Sequence, residues 1–195
     1  MASRVAIIQG HPDPARGHLC HALANAYATG CEASGHSVTL INVAGLDFPW
    51  LRTKQAFEDG KLPTKLQPSQ DAIGAADHLL IVYPLWLGGM PALLKAFFEQ
   101  IFRPGFAFSL SDPSKPRRKR LKGKSVRIVV TMGMPSLFYR WYFGAHSLKS
   151  LERNILGFCG IGPIRESLFG MVETAGDAKR KHWLEDMHRL GQRAR

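Results

Sequence analysis

The segment His78–Ile101 reads HLLIVYPLWLGGMPALLKAFFEQI and places a strand, a loop and a helix in close succession. Its first part, His78–Pro84, is an apolar run of the length of a buried strand. Pro91 then stands where the first turn of a helix favours proline. Four apolar residues follow at helical spacing: Leu94, Phe97, Phe98 and Ile101. This pattern indicates an amphipathic helix that packs on a sheet.

The same alternation of strand and helix extends in both directions along the chain. Four further runs are predicted as strands: Arg4–Gln9, Ser37–Val43, Ser125–Thr131 and Pro163–Met171. Further helices are expected at His18–Ser34, at Ser69–Ala76, within Gly144–Leu156 and from about Ala175, the last with Trp183, Met187, Leu190 and Ala194 facing inward. The segment Ala44–Pro68 is expected to be a loop. Because parallel strands require crossover connections, the alternation predicts a doubly wound α/β fold in three layers.

Length and composition are those of one globular domain over residues 1–195, with 45% hydrophobic and 21% charged residues. The longest uncharged apolar stretch, Leu79–Leu94, is shorter than the roughly 20 residues of a membrane-spanning helix, and proline and glycine interrupt it. The apolar run Val5–Ile8 is too short for an export signal. The cysteines are three in number and lack zinc-site spacing. We therefore expect a cytoplasmic protein.

The net charge of +11 is concentrated in Lys115–Lys124 (KPRRKRLKGK), which holds seven positive residues and no acid. We expect a basic loop at residues 109–124 that is mobile and attracts phosphorylated ligands, the alternative being a merely solvated loop. Binding of a polyanion is a third possibility. Since no nucleic-acid motif accompanies the charge, no nucleic-acid partner is expected.

In doubly wound sheets, ligands bind beyond the carboxyl ends of the strands, where the strand order reverses. The loop Gly10–His18 (GHPDPARGH) joins a predicted strand to a helix N-terminus, a position that favours a phosphate group. Its glycine spacing differs from that of dinucleotide-binding and P-loop motifs. A zinc site at His18, Cys20 and His21 is excluded because these helix positions do not share a face. No metal site is predicted.

Three loops in the right order carry a resemblance to a known family. The segment Tyr83–Phe108 contains Pro84-Leu85-Trp86-Leu87, Met90-Pro91-Ala92-Leu93-Leu94-Lys95 and Gly105-Phe106-Ala107-Phe108. These resemble the PL-x-W, MPA-x-LK and GFAF/Y motifs of the flavodoxin-like NAD(P)H:quinone oxidoreductases. Gly10–His11 resembles the phosphate loop of that family, and Thr131-Met132-Gly133-Met134 resembles its TTGG loop. The resemblance spans roughly residues 4–172.

The resemblance implies a five-stranded flavodoxin-like sheet, a bound FMN or FAD, and a homodimer with active sites near the subunit interface. It also implies two-step transfer of hydride from NAD(P)H through the flavin to a quinone-like acceptor, by a ping-pong mechanism. The implied flavin-binding residues are His11, Arg16, Gly17, His18, Pro84, Leu85, Trp86, Leu87, Thr131, Met132, Gly133, Met134 and Tyr139. Alternatively, Trp86, Met132 and Met134 are core side chains and His11 is a turn residue.

Tyr139 and His146 resemble the tyrosine and histidine with which the family stabilises charge on its reduced flavin. They are seven residues apart here and six apart in the usual pattern, but seven residues are two helical turns, which would put both on one face of a helix. The alternative is that Tyr139, Trp141, Tyr142 and Phe143 form an aromatic dimer contact while His146 caps the following helix.

Two other functions fit the same motifs. One is an FMN-dependent azo- or flavin-reductase activity. The other is the role of an ancillary regulatory subunit of a potassium-efflux antiporter, which would give the chain a membrane-protein partner.

Overall fold

The computed structural model describes residues 2–15, 17–109 and 118–195. Five strands form one sheet: β1 Arg4–Gln9, β2 Ser37–Asn42, β3 His78–Pro84, β4 Ser125–Thr131 and β5 Ile164–Phe169. All neighbouring strands run parallel, in the order β2-β1-β3-β4-β5. The predicted flavodoxin-like sheet is confirmed, and each strand lies within two residues of its expected bounds.

Helices connect the strands on both sides of the sheet. They are α1 Leu19–Ala33, α2 Lys54–Glu58, α3 Gln67–Ala75, α4 Ala92–Ile101, α5 Ser136–Trp141, α6 His146–Ser150, α7 Gly157–Cys159 and α8 Asp177–Gln192. A π-helical segment, Leu151–Leu156, joins α6 to α7, and single 3-10 turns lie at Val43–Gly45 and Thr64–Leu66. Across the described ranges, no helix is long and apolar enough to cross a membrane.

Two segments predicted as loops contain helices. The expected loop Ala44–Pro68 includes α2, whose start is capped where the Thr53 hydroxyl accepts a hydrogen bond of 3.0 Å from the Ala56 N–H. Helix α3 begins at Gln67, because Pro68 fits in its first turn. The loop expected after β4 contains α5. Helices of five or six residues are too short to show an apolar period, so the sequence pattern missed them.

The central strands are apolar because helices cover both of their faces. Along β1, Val5 and Ile7 belong to the core packed against α1 and α8, whereas Ala6 and Ile8 belong to the larger core under α3 and α4. Successive side chains of a strand point to opposite faces, so each strand contributes to both cores. This arrangement gives the three-layer α/β/α architecture.

Helices α1 and α8 cross with their backbones in contact. A Cβ atom on Gly30 would lie 2.1 Å from the carbonyl oxygen of His188, and one on Gly191 would lie 2.1 Å from that of Tyr27. Of the apolar side chains predicted on α8, Trp183 and Met187 are buried and Leu190 and Ala194 are partly buried. Ala194 lies beyond the end of the helix at Gln192.

Candidate functional site

A cleft of about 280 Å³ lies beyond the carboxyl ends of β1, β3 and β4. The chain leaves β1 for β2 on one side and returns to β3 on the other side, so the cleft lies where the strand order reverses. We call it the strand-end cleft, and its lining residues are His11, His18, Leu19, Cys20, Pro84, Leu85, Trp86, Thr131, Met132, Gly133, Val172 and Glu173.

The loop between β1 and α1 is held by its own polar groups. The Gln9 side-chain oxygen accepts a hydrogen bond from the His11 N–H at 2.5 Å, and Asp13 Oδ1 accepts one from the Ala15 N–H at 2.9 Å. The other carboxylate oxygen, Oδ2, lies 2.8 Å from His18 Nε2. The Ala15 N–H and then His18 lower the pKa of Asp13. A charged carboxylate therefore shapes this loop at neutral pH.

Imidazole rings form the wall of the cleft at this loop. The ring of His11 stacks on that of His18 with their centroids 3.9 Å apart and their planes 17° from parallel. The ring of His21 is 5.6 Å from His11, and Trp86 meets His11 edge-on at 5.9 Å. His11 is buried, and burial, followed by the nearby His18, lowers its pKa. Its ring is thus held mainly neutral at pH 7.

The loop after β3 turns sharply and exposes its tryptophan. Trp86 and Gly89 exchange two backbone hydrogen bonds of 2.9 Å, and the two residues between them have positive φ, 45° at Leu87 and 76° at Gly88. Positive φ at both central positions is the geometry of a type I′ turn. The side chain of Trp86 is 52% exposed although it lines the cleft. It is therefore a wall of the cleft and not a core side chain.

The loop after β4 lies against both neighbouring loops. The Thr131 carbonyl accepts a hydrogen bond of 2.8 Å from the Leu85 N–H, and the Thr131 hydroxyl lies 3.2 Å from Cys20 Sγ. Burial raises the pKa of the Cys20 thiol to about 11, so the thiol is neutral at physiological pH. Met132 is buried with its side chain against the core and also lines the cleft. These contacts fix the relative positions of the three loops.

The structure brings together eight of the residues predicted to bind a flavin. The cleft is lined by His11, His18, Pro84, Leu85, Trp86, Thr131, Met132 and Gly133. Gly17, Leu87, Met134 and Tyr139 lie outside its lining, and Arg16 lies outside the described residues. The sequence analysis missed Leu19, Cys20, Val172 and Glu173. The last two follow β5, and the strand-end rule would have found them if applied to all the central and edge strands.

Tyr139 and His146 do not share a helical face. Helix α5 ends at Trp141, and Gly144 and Ala145 have positive φ of 61° and 49° before α6 begins at His146. Tyr139 is buried, with its hydroxyl 2.7 Å from Ser147 Oγ, whereas His146 is exposed. The assumption of one continuous helix was therefore wrong. The proposed capping role also fails in detail, since no side chain caps α6.

Two lysines in the described part of the basic run, residues 118–124, are hydrogen-bonded to backbone carbonyls. Lys124 Nζ donates hydrogen bonds of 2.7 Å to the carbonyls of Gly74 and Ala76, and Lys119 Nζ donates one of 2.8 Å to the Gly157 carbonyl. Burial lowers the pKa of Lys124. These two lysines bind carbonyl groups at helix ends. The remainder of the expected loop, residues 110–117, lies outside the described residues.

No group of three or more His, Cys, Asp or Glu side chains within residues 2–15, 17–109 and 118–195 is arranged to hold a metal ion. The stacked geometry of His11 and His18 explains why the imidazoles near the cleft do not form such a group. Parallel rings at 3.9 Å cannot direct their nitrogen lone pairs at one shared ion.

Comparison with known proteins gives the same fold as the structure. A family profile described as flavodoxin-like fold matches residues 3–191. The chain belongs to the flavodoxin-like fold family. Within this family, an uncharacterized NAD(P)H oxidoreductase of Haemophilus influenzae is 27% identical over 183 residues, which cover 92% of this chain and 89% of that protein. The NAD(P)H dehydrogenase [quinone] 1 of Rattus norvegicus is 27% identical over 130 residues, 64% of this chain and 46% of the rat protein.

Solved flavodoxin-like structures share the whole architecture. The NAD(P)H:quinone oxidoreductase of Methanothermobacter marburgensis superposes with a TM-score of 0.84 at 21% identity, covering 100% of both chains. An FMN-dependent NADH-azoreductase of Bacillus anthracis, in complex with FMN, gives a TM-score of 0.76 at 14% identity and covers 98% of each chain. At such identities the likeness establishes the fold.

Proposed function

We propose that this protein is a flavin-dependent NAD(P)H oxidoreductase that reduces a quinone or a similar small acceptor. The observation that carries the proposal is the convergence of three loops, after β1, β3 and β4, in one cleft at the reversal of strand order. The names of the H. influenzae, rat and M. marburgensis proteins support the same reaction class. The match covers less than half of the rat protein. The activity of that whole protein therefore comes to this chain only as part of the proposal.

The residues present fit a flavin mononucleotide. The N-terminus of α1 and the rings of His11 and His18 suit a phosphate group. Trp86, whose ring meets that of His11 edge-on, and Met132 offer apolar surface to a planar ring. At the end of β1, the side-chain nitrogen of Gln9 is buried and has no hydrogen-bond partner among the described residues. An unpaired buried donor at a strand end favours a ligand with acceptor oxygens.

When bound, a flavin supplies the transfer of two electrons between NAD(P)H and the acceptor. The residues that line the cleft would hold the flavin there. Trp86 is half exposed at the edge of the cleft, so donor and acceptor would occupy the same opening in turn. We therefore expect ping-pong kinetics, with parallel lines in plots of reciprocal initial rates. Intersecting lines would show a ternary complex and contradict the shared opening.

Tyr139 and His146 remain our candidates for stabilising negative charge during flavin reduction. Their positions differ, since Tyr139 is buried against Ser147 and His146 is exposed at the start of α6. We expect the Tyr139→Phe and His146→Ala variants each to raise the activation free energy of flavin reduction by NAD(P)H by about 1–3 kcal/mol, while the flavin stays bound. Stopped-flow half-reaction rates equal to the wild-type rate in both variants would remove these roles.

We further propose a homodimer, because an exposed aromatic surface lies on and directly after α5. Leu137, Phe138, Trp141, Tyr142 and Phe143 are all exposed, and the rings of Phe138 and Tyr142 stack at 4.8 Å. Exposed apolar patches of this kind mark association surfaces. The Trp141→Glu variant should shift the molar mass measured by light scattering from dimer to monomer. A wild-type protein that is monomeric at high concentration would contradict the proposal. The three buried, unpaired cysteines support a reducing compartment such as the cytoplasm.

An azoreductase activity is the second candidate, and the similarity to the B. anthracis NADH-azoreductase favours it. It uses the same cleft and the same reduction by NAD(P)H, and only the acceptor differs. The comparison to make is the second-order rate constant of the reduced protein with a quinone and with an azo dye. A larger constant for the azo dye would reassign the acceptor while leaving the flavin site as described.

The decisive experiment is a titration of the purified protein with FMN, FAD and riboflavin, followed by anaerobic addition of NADH or NADPH. We expect one flavin per chain, with FMN preferred because the name of the B. anthracis protein specifies it, and bleaching of the visible flavin band by the reductant. Absence of binding of all three flavins at micromolar concentration would overturn the proposed function.

A further inference from the structure

The imidazole rings of the strand-end cleft are stacked on each other, an arrangement that a phosphate-binding loop does not need. His11 and His18 lie ring on ring at 3.9 Å, and both line the cleft. Burial and then the neighbouring His18 lower the pKa of His11. Asp13 Oδ2 lies 2.8 Å from His18 Nε2 and pairs with that ring. The same carboxylate raises the pKa of His11 through space without pairing with its ring, so His11 lacks a directly paired counterion among the described residues.

The hydrogen bonds of His11 accommodate both of its protonation states. The Asp13 N–H lies 3.1 Å from His11 Nδ1, so this nitrogen accepts a hydrogen bond when the ring is neutral. The Asp13 carbonyl oxygen lies 3.3 Å from the same nitrogen and is placed to accept from it when the ring is protonated. When Nδ1 accepts from the Asp13 N–H, the proton of the neutral ring is on Nε2. No described residue is hydrogen-bonded to Nε2, although His11 is only 6% exposed.

The other titratable groups around His11 do not supply the missing counterion. His21 on α1 is a further base, 5.6 Å away, and burial keeps the Cys20 thiol neutral by raising its pKa to about 11. Glu173, on the segment after β5, lies beside Gly133 at the other wall of the cleft. Arg16 belongs to the same loop by sequence and lies outside the described residues. A doubly charged phosphate entering the cleft would be the counterion that His11 lacks.

We propose that His11, stacked on His18, binds the flavin phosphate with uptake of a proton. The His11 imidazole takes up this proton from solution when the phosphate dianion binds. The inference rests on the proposed flavin site and adds to it a dependence of flavin affinity on pH. The proton comes from the buffer and goes to the ring, and no other bond changes. The phosphate raises the pKa of His11, which burial and His18 lower in the free protein. Affinity should accordingly fall as pH rises between the free and the bound pKa of His11.

Riboflavin is the matched control ligand, because it shares the ring and the ribityl chain of FMN and lacks the phosphate. Calorimetric titrations between pH 7.5 and 8.5, in phosphate-free buffers of different ionisation enthalpy, count the protons taken up. In this range the free phosphate is already a dianion, since its second pKa is about 6. We expect a net proton uptake for FMN and none for riboflavin, with the FMN Kd rising with pH by at most about tenfold per pH unit.

Three variants distinguish His11 from other histidines. His11→Gln should abolish the proton uptake and reduce the pH dependence of the FMN Kd, and an unchanged urea unfolding curve would show that the variant is folded. His18→Gln removes the stacked neighbour, and we expect it to reduce the uptake without abolishing it. His182→Gln, on the exposed surface of α8, should behave as wild type.

FMN binding without proton uptake in the wild-type protein overturns the inference and leaves the proposed function standing. Uptake that persists in His11→Gln overturns the assignment to His11. If FMN, FAD and riboflavin all fail to bind, the proposed function fails, and the inference fails with it.

Discussion

Two cavities of similar volume lie on this molecule and differ in origin. The strand-end cleft measures about 280 Å³ and is lined by imidazoles, a hydroxyl and a carboxylate beside Trp86 and Met132. The second cavity, here called the helix-side cavity, measures about 260 Å³ and is lined by Phe57, Glu58, Lys95, Phe98, Glu99, Phe102, Phe108, Asn154, Ile155, Phe158 and Cys159.

The difference between the cavities comes from the backbone around them. The strand-end cleft collects loops where strands end and where α1 begins, so unpaired backbone groups and polar side chains meet there. The helix-side cavity is a space between α2, α4 and the π-helical segment, whose apolar side chains also pack on the sheet. Volume alone does not distinguish a binding site from imperfect packing. The chemistry of the lining does, and three substitutions at the cavities test this distinction, while three elsewhere set its scale.

The largest effect is expected from Phe98→Ala at the helix-side cavity. Phe98 is 2% exposed, and its ring stacks on that of Phe102 at 5.4 Å. Removing the ring enlarges a cavity in the core and should lower the free energy of unfolding by about 3–5 kcal/mol in urea titrations. The FMN Kd of the folded protein should stay at the wild-type value. A weaker FMN affinity with unchanged stability would give the helix-side cavity a role in binding.

The next effect is expected from filling each cavity with an indole ring. Gly133 is exposed at the wall of the strand-end cleft, and Asn154 is exposed at the helix-side cavity. Gly133→Trp should weaken FMN binding at least a hundredfold, or about 2.8 kcal/mol, as measured by fluorescence quenching. Asn154→Trp is the matched control and should bind FMN as wild type does. The reverse outcome would exchange the roles of the two cavities.

An effect of intermediate size is expected on the pH dependence of stability, and it comes from a histidine that lies away from the cleft. His78 begins β3, at the end of the sheet opposite the cleft, and burial lowers its pKa from 6.5 to about 4. The unfolded chain binds a proton below pH 6.5 that the folded chain excludes, so stability present above pH 6.5 is lost as pH falls toward 4. We expect unfolding in urea to be easier at pH 5 than at pH 7 by about 2 kcal/mol.

The control for this effect is His78→Asn, which keeps a polar group near Ser125 Oγ, 2.7 Å from the histidine ring in the native chain. Its stability should depend less on pH than that of wild type by about the same 2 kcal/mol. Equal pH dependence in both proteins would place the titrating group elsewhere. The cleft histidines would then be the first candidates, and the proton-uptake measurements would need this correction.

The smallest effect is expected at a hydroxyl pair that lines neither cavity. The hydroxyl of Tyr139 lies 2.7 Å from Ser147 Oγ. Tyr139→Phe and Ser147→Ala should each lower the free energy of unfolding by about 1 kcal/mol, and the double variant should lose less than the sum. Strictly additive losses would mean that the two hydroxyl groups do not stabilise each other.

The strands and most of the helices could be predicted from the sequence because parallel strands buried on both faces leave continuous apolar runs. The run Arg4–Gln9 is β1 without change, and the stripe from Leu94 to Ile101 is the buried face of α4. Helices α2 and α5 were missed, since five or six residues do not complete enough turns to show a period. Their start signals, Thr53 and Pro135, are present in the sequence.

The candidate site was predictable where a residue's position follows from the end of a strand. His11, Pro84 and Thr131 each lie at or just after the end of a strand, and all three line the cleft. Tyr139 and His146 depend on how the chain turns between two short helices. That turn is set by positive φ at Gly144 and Ala145, and alanine gives no sequence signal for a left-handed conformation. The stacking of His11 on His18 likewise depends on the turn at Asp13.

The contact between α1 and α8 has a consequence for sequence variation. With a carbonyl oxygen 2.1 Å from each absent Cβ, Gly30 and Gly191 accept no side chain, not even a methyl group, unless the two helices separate. In a library of all single substitutions, both positions should be depleted of every alternative residue, with no dependence on charge, size or polarity. Such a uniform profile reports where two backbones touch. A site such as His11 would instead show graded tolerance, because chemistry and not space decides which residues can replace it.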